Sequence, residues 1–140
     1  MTALSDSERG ELIEQLARTR VGFGRIDGVE GHRRSPSCGD EVTVRVALRG
    51  DAIEGLGWEG HGCVVSTAAA SALASLAPGL SVPEFRELAE RYLASLTPDG
   101  LPLADELDIG DLDVFAGIGR FPLRAGCASL SWRATLDALG

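Results

Sequence analysis

Three cysteines, Cys38, Cys63 and Cys127, are the residues of this chain best suited to metal or sulfur chemistry, and each stands next to a glycine. Cys38 sits in SPSCGD, with Asp40 two residues on. Cys63 ends GHGC. Cys127 follows Gly126 in FPLRAGC. A neighbouring glycine lets backbone approach closely or take positive φ, which suits a tight site better than a packed interior. The count is odd and the spacing wide, so a disulfide framework is a poor reading. Three others stay open at this level: small core residues, a metal site closed in three dimensions, or a reactive thiol with helpers.

The metal reading has a definite donor set. Asp40 can turn its carboxylate toward Cys38 across Gly39, and three thiolates with one carboxylate complete a tetrahedral Zn²⁺ site. The formal charge would be −2, which Arg124, three residues before Cys127, is placed to offset. Cys63, opening a helix, has its thiolate favoured by the helix dipole and free N–H groups. His61 is a spare ligand or relay candidate with solvent as its plainer place, and His32 reads as loop surface. Ser66, Ser71 and Ser75 read as helix-packing residues. With no histidine nearby in sequence, they make a poor serine-hydrolase site.

The elements that must position these residues can be read from periodicity. Ser5 and Glu8 form a capping box ahead of a helix over 5–19, with Leu12, Ile13 and Leu16 on one face. Residues 21–37 read as loop with a short strand around Ile26 to Val29. Val42, Val44, Val46 and Leu48 alternate with Thr43, Arg45 and Ala47, which is a half-buried strand. Arg49-Gly50-Asp51 is a turn rather than an adhesion motif. A second strand over Ala52 to Trp58 makes the pair an antiparallel hairpin.

A small-residue helix follows over 64–76 and ends at Pro78-Gly79. Ser81 and Glu84 form another capping box, and Phe85, Leu88, Ala89, Tyr92, Leu93 and Leu96 make a core-facing stripe. Residues 97–111 form a proline-, glycine- and acid-rich connection, and 112–118 a short helix. The chain ends in a helix opened by Phe121-Pro122, with Leu123, Cys127, Leu130, Ala134 and Ala138 on its apolar stripe. Trp58 and Trp132 read as core. With 140 residues, 44% hydrophobic and no internal repeat, the expectation is one domain over 1–140.

Charge and composition exclude several classes. The net charge is −8 and all 13 basic residues are arginine. An acidic chain is a poor nucleic-acid binder, because phosphate contacts need cationic surface, and lysine Schiff-base chemistry is ruled out. No apolar run reaches the roughly 20 residues of a membrane helix, and the first residues do not make a signal peptide. The expectation is a cytoplasmic protein without nucleic-acid or membrane partners.

Taken together, SPSCGD, GHGCVVSTAAAS and FPLRAGCASLSW resemble the SufU/IscU family of iron–sulfur cluster assembly proteins, over about residues 10 to 139. The order of the motifs, the hairpin between the first two and the long gap before the third all match. FPLRAGC lacks the double proline, lysine and histidine of the IscU-type stretch, and carries Arg124 as the SufU branch does. The connection over 97–111 also matches the SufU insertion. SufU-type proteins often have a lysine before the third cysteine, where this chain has Gly126.

The resemblance implies an α+β fold, a small antiparallel β-sheet packed on one side by several α-helices. It implies Zn²⁺ held by Cys38, Asp40, Cys63 and Cys127, a persulfide accepted on Cys38, and Arg124 aiding docking or site electrostatics. The implied function is a zinc-dependent sulfurtransferase taking sulfur from a SufS-type cysteine desulfurase for downstream iron–sulfur assembly proteins. The alternatives are a scaffold that builds an iron–sulfur cluster on the same ligands and a domain with purely structural zinc. Asp40 in place of a fourth thiolate argues for a labile site over a structural one.

Overall fold

The hairpin predicted from residue 41 onward is the centre of the fold. The computed structural model describes residues 5–36, 39–98, 110–115 and 118–140. Its elements run α1 (Asp6–Thr19), β1 (Val29–Arg34), β2 (Glu41–Arg49), β3 (Ala52–His61), α2 (Val64–Leu76), α3 (Val82–Ser95), two short 3₁₀ turns (Gly110–Phe115 and Ile118–Arg120) and α4 (Pro122–Leu139). The three strands form one antiparallel sheet in the order β1-β2-β3.

One face of the sheet is apolar. Val42, Val44 and Val46 of β2 and Ile53, Leu56 and Trp58 of β3 are buried on it. The side-chain period of two in a strand puts Thr43 and Arg45 on the other face, where Arg45 spans to Glu30 and Glu59 on the flanking strands. α4 packs on β1 and β2, and α2 lies between α1 and α4. The alanines of α2 make that close approach possible, and Ala68, Ala69, Ala70, Ala72 and Ala74 are all buried.

Both capping boxes form as expected, Ser5 with Glu8 and Ser81 with Glu84. The α3 stripe buries Phe85, Leu88, Ala89, Tyr92 and Leu96. Both tryptophans are core, Trp58 3% and Trp132 0% exposed. The expected turn at 49–51 is a two-residue loop, Gly50-Asp51, between paired Arg49 and Ala52, with Gly50 at φ 63°.

Three expectations need correction. The first strand is Val29–Arg34, not Ile26 to Val29. Its sequence, VEGHRR, carries no apolar alternation, because only Gly31 is buried. A Cβ at Gly31 would collide with the carbonyl of Ala134 in α4, so a missing side chain, rather than an apolar one, seats this strand. Leu48 is 38% exposed rather than buried. The register shifts between Ala47 and Leu48, leaving Glu54 unpaired in β3, and such a bulge re-aims the end of a hairpin. Leu123 is 68% exposed, because the first turn of α4 runs ahead of the core that takes in Cys127, Leu130 and Ala134.

The short helix expected over 112–118 is the pair of 3₁₀ turns. Most of the connection over 97–111 lies outside the described residues. Among those described, no helix is long and apolar enough to cross a membrane.

Candidate metal centre

Asp40, Cys63 and Cys127 come from three distant segments and meet at one end of the sheet. Asp40 directly precedes β2, and its backbone carbonyl accepts the Ser35 N–H at 2.7 Å. Gly39, at φ 74°, makes the turn that this closure requires. Cys63 is the N-cap of α2, where its Sγ accepts the Ser66 N–H at 3.5 Å. Cys127 lies in the second turn of α4 and is buried. One donor atom from each of the three lies within 4.8 Å of the other two.

The Asp40 carboxylate is the hub. It is 6% exposed and accepts the Cys63 backbone N–H at 3.3 Å. Burial pushes its carboxyl up, but hydrogen bonds from the Cys63 N–H and from the Ser66, Cys63 and Cys127 side chains outweigh that and hold it below the usual carboxylate range. It forms no ion pair among the described residues. Among the described residues, one carboxylate and two thiols therefore converge with no cation acting on the carboxylate. Deprotonated, they are mutually repulsive anions, and a divalent ion is the counter-charge that this donor chemistry fits.

The other candidates separate clearly. Cys38 lies outside the described residues. Arg124 is exposed on the first turn of α4, its guanidinium 5.4 Å from the Phe121 ring centroid, rather than among the donors. His61 is exposed at the end of β3, paired across the sheet with Glu41, and is not in the donor cluster. His32 is surface, with Nε2 2.8 Å from the Glu41 carboxylate.

Ser66, expected to be a helix-packing residue, is a site residue. Its hydroxyl donates to the Cys63 carbonyl at 3.1 Å and stands beside the Asp40 carboxylate, which it helps hold below the usual carboxylate range. The signal was present in the sequence. Ser66 is the third residue after a helix-capping Cys63, the position that a capping side chain addresses. Ser71 and Ser75 are packing residues as expected, with Ser71 accepting the Val21 N–H at 3.0 Å.

Gly62 is required by this arrangement. A Cβ there would run into the Ser66 hydroxyl and lie 3.0 Å from the Asp40 carboxyl carbon. Both obstacles are side chains, so the site must give way rather than the fold. Gly62→Ala is expected to weaken binding of an added divalent ion by about 10- to 100-fold, the range for disturbing groups that orient metal ligands. Competition against a chromophoric chelator measures this. Thermal unfolding of the metal-free variant should stay close to that of the parent.

Comparison with known proteins supplies a context for this geometry. The model of the NifU-like N terminal domain matches residues 12–128. The iron–sulfur cluster assembly scaffold protein IscU of Streptococcus pyogenes serotype M1 is 33% identical over 117 residues, covering 83% of this chain and 72% of that protein. The zinc-dependent sulfurtransferase SufU of Bacillus subtilis (strain 168) is 31% identical over 108 residues, covering 77% of this chain and 72% of that protein. A crystal structure of a SufU from Fervidobacterium islandicum AW-1, described as a cluster assembly scaffold for the SUF system, superposes with a TM-score of 0.82. It is 26% identical, over 93% of this chain and 95% of that one.

Proposed function

We propose that this chain, which belongs to the NifU-like N-terminal domain family together with the SufU and IscU proteins of iron–sulfur cluster assembly, is a cytoplasmic zinc-dependent sulfurtransferase that accepts persulfide sulfur from a SufS-type cysteine desulfurase. The observation that carries the choice within the family is the donor set. Among the described residues the cluster is one carboxylate and two thiols with no histidine, and the residue before Cys127 is Gly126, which has no side chain to ligate.

Cys38, Asp40, Cys63 and Cys127 would hold the ion. Bound there, zinc keeps cysteine thiolates deprotonated at neutral pH and shields them from oxidation. The remaining chemistry belongs to the chain. The Cys38 thiolate attacks the outer sulfur of the desulfurase persulfide. A new S–S bond forms to Cys38, the S–S bond to the desulfurase breaks, and the desulfurase thiolate leaves. Asp40, fixed by its hydrogen bonds, and Cys63 and Cys127, anchored on α2 and α4, keep the rest of the site in place while Cys38 reacts. Arg124, exposed at the start of α4 beside Phe121, assists docking of the desulfurase.

Alanine production by the cognate desulfurase tests this reading. Zinc-loaded protein should accelerate turnover many-fold, and Cys38→Ala should abolish the acceleration. The scaffold reading draws on the IscU relative and predicts the reverse. The protein would then leave alanine production unchanged and carry iron and sulfide after reconstitution.

A further inference from the structure

We propose that the groove between the end of α1 and the start of α2 binds a small amino-acid-type thiol by its carboxylate and ammonium groups. The groove has a volume of about 500 Å³, within the range of small-molecule sites, about 300–1,000 Å³. Glu14, Arg18 and Arg20 line it on one side and Gly62, Val64 and Thr67 on the other. Gly62 and Val64 flank Cys63, so the groove opens directly beside the metal centre.

Arg33, Arg45 and Arg91 are each paired with acids. Arg18 and Arg20 form no ion pair among the described residues, although Glu14 is four residues before Arg18. Arg20 is also held in place. It is the one described non-glycine residue with positive φ, 48°, and its N–H caps α1 on Leu16 at 3.1 Å. Its guanidinium stacks 4.1 Å from the centroid of Phe23, which stands edge-on to Trp58 at 4.9 Å. The left-handed conformation is the ordinary way for a helix to end, and it fixes where the Arg20 side chain leaves the backbone.

Two unpaired cations and one carboxylate in one groove match a carboxylate and an ammonium carried by the same small ligand. The groove adjoins the centre that carries sulfur in the proposed function, and this selects a thiol among such ligands. That choice of occupant rests on the sulfurtransferase reading. The ligand thiolate attacks the outer sulfur of the protein persulfide, a bond forms between the ligand sulfur and that sulfur, and the protein S–S bond breaks. The protein thiolate leaves and the outer sulfur keeps its proton, so no oxidant or reductant is consumed. A chain of net charge −8 repels carboxylates in general, so a preference for carboxylate-bearing thiols requires a local cationic site.

The unreactive probe S-methyl-L-cysteine, titrated into ¹⁵N-labelled zinc-loaded protein, tests binding apart from sulfur transfer. Saturable shifts are expected at the Gly62, Val64 and Thr67 amides, with affinity falling about tenfold in R18Q/R20Q, as loss of charge-assisted hydrogen bonds predicts. Absent saturation, or equal affinity in a variant with unchanged unfolding midpoint, overturns the assignment. In discharge of persulfide-loaded protein, R18Q/R20Q should slow L-cysteine and 3-mercaptopropionate about tenfold and leave cysteamine unchanged. E14Q should slow L-cysteine but not 3-mercaptopropionate. Equal slowing of all three thiols also overturns the groove. Failure of the desulfurase to load any persulfide would sink the sulfurtransferase reading instead, and the S-methyl-L-cysteine titration would still decide the groove.

Discussion

Replacing Trp132 by alanine is expected to lower the unfolding free energy by about 3–5 kcal/mol, the cost of deleting a fully buried large aromatic. Trp132 is 0% exposed and sits where α4 meets two other helices. Its indole N–H donates to the Ala69 carbonyl of α2 at 3.2 Å. Its ring stacks on Phe85 of α3 at 5.7 Å and tilts against Tyr92 at 4.5 Å. Alanine would leave a cavity bounded by all three helices, and close-packed interiors relax only in part around such a void. Marginal stabilities of about 5–15 kcal/mol make this a large fraction of the total. Urea unfolding followed by circular dichroism would show a much lower midpoint. Trp132→Phe should recover most of the loss, since it restores ring volume and gives up one hydrogen bond. Leu123→Ala, at a side chain 68% exposed, serves as the control and should move the midpoint little.

Trp132 was legible as core from its sequence alone, and the reason separates what could be read from what could not. Where a residue's environment follows from its neighbours along the chain, the sequence determines it. Val42, Val44 and Val46 alternate because one sheet face is buried. Ser5 and Ser81 cap because Glu8 and Glu84 stand three residues on. The α3 stripe is a helix face. Where the environment is set by a distant element, local pattern fails. β1 is seated by Gly31 lying under Ala134, more than a hundred residues away. Leu48 is turned outward by an unpaired residue on the facing strand. Leu123 belongs to an apolar period but lies beyond the core that the period serves.

The site divides in the same way. Cysteine, aspartate and glycine types at chain junctions pointed to Asp40, Cys63 and Cys127, and the fold brings them together. Periodicity could not tell that Ser66 would turn from packing to the Asp40 carboxylate, or that Arg124 would lie against Phe121. The first depends on how the start of α2 meets the segment before β2, where the spacing from Cys63 marks a cap but not the carboxylate it faces; the second is a contact between residues three apart at the start of α4.

If the site holds zinc as proposed, Asp40→Asn is expected to weaken its binding by roughly 100-fold or more, above the 10- to 100-fold typical of losing a supporting group, because the carboxylate proposed as a direct donor loses its charge. The substitution conserves size, so packing around a side chain only 6% exposed is kept. The donor pattern is not. The carboxylate accepts from the Cys63 N–H and from the Ser66, Cys63 and Cys127 side chains, whereas an amide offers one oxygen and presents an NH₂ group to at least one of these donors. In the metal-free protein those hydrogen bonds outweigh burial and hold the carboxyl below the usual carboxylate range, so the charged form stabilises the fold and the amide gives up that contribution. The metal-free variant should therefore unfold modestly below the parent, while its zinc-loaded form loses in addition most of the metal-dependent gain, which falls with affinity. Chelator competition and thermal unfolding, each with and without zinc, separate the two effects. A zinc-loaded variant as stable as the parent, with unchanged affinity, would remove Asp40 from the ligand set and leave it as a hydrogen-bonding hub that orients Cys63 and Cys127.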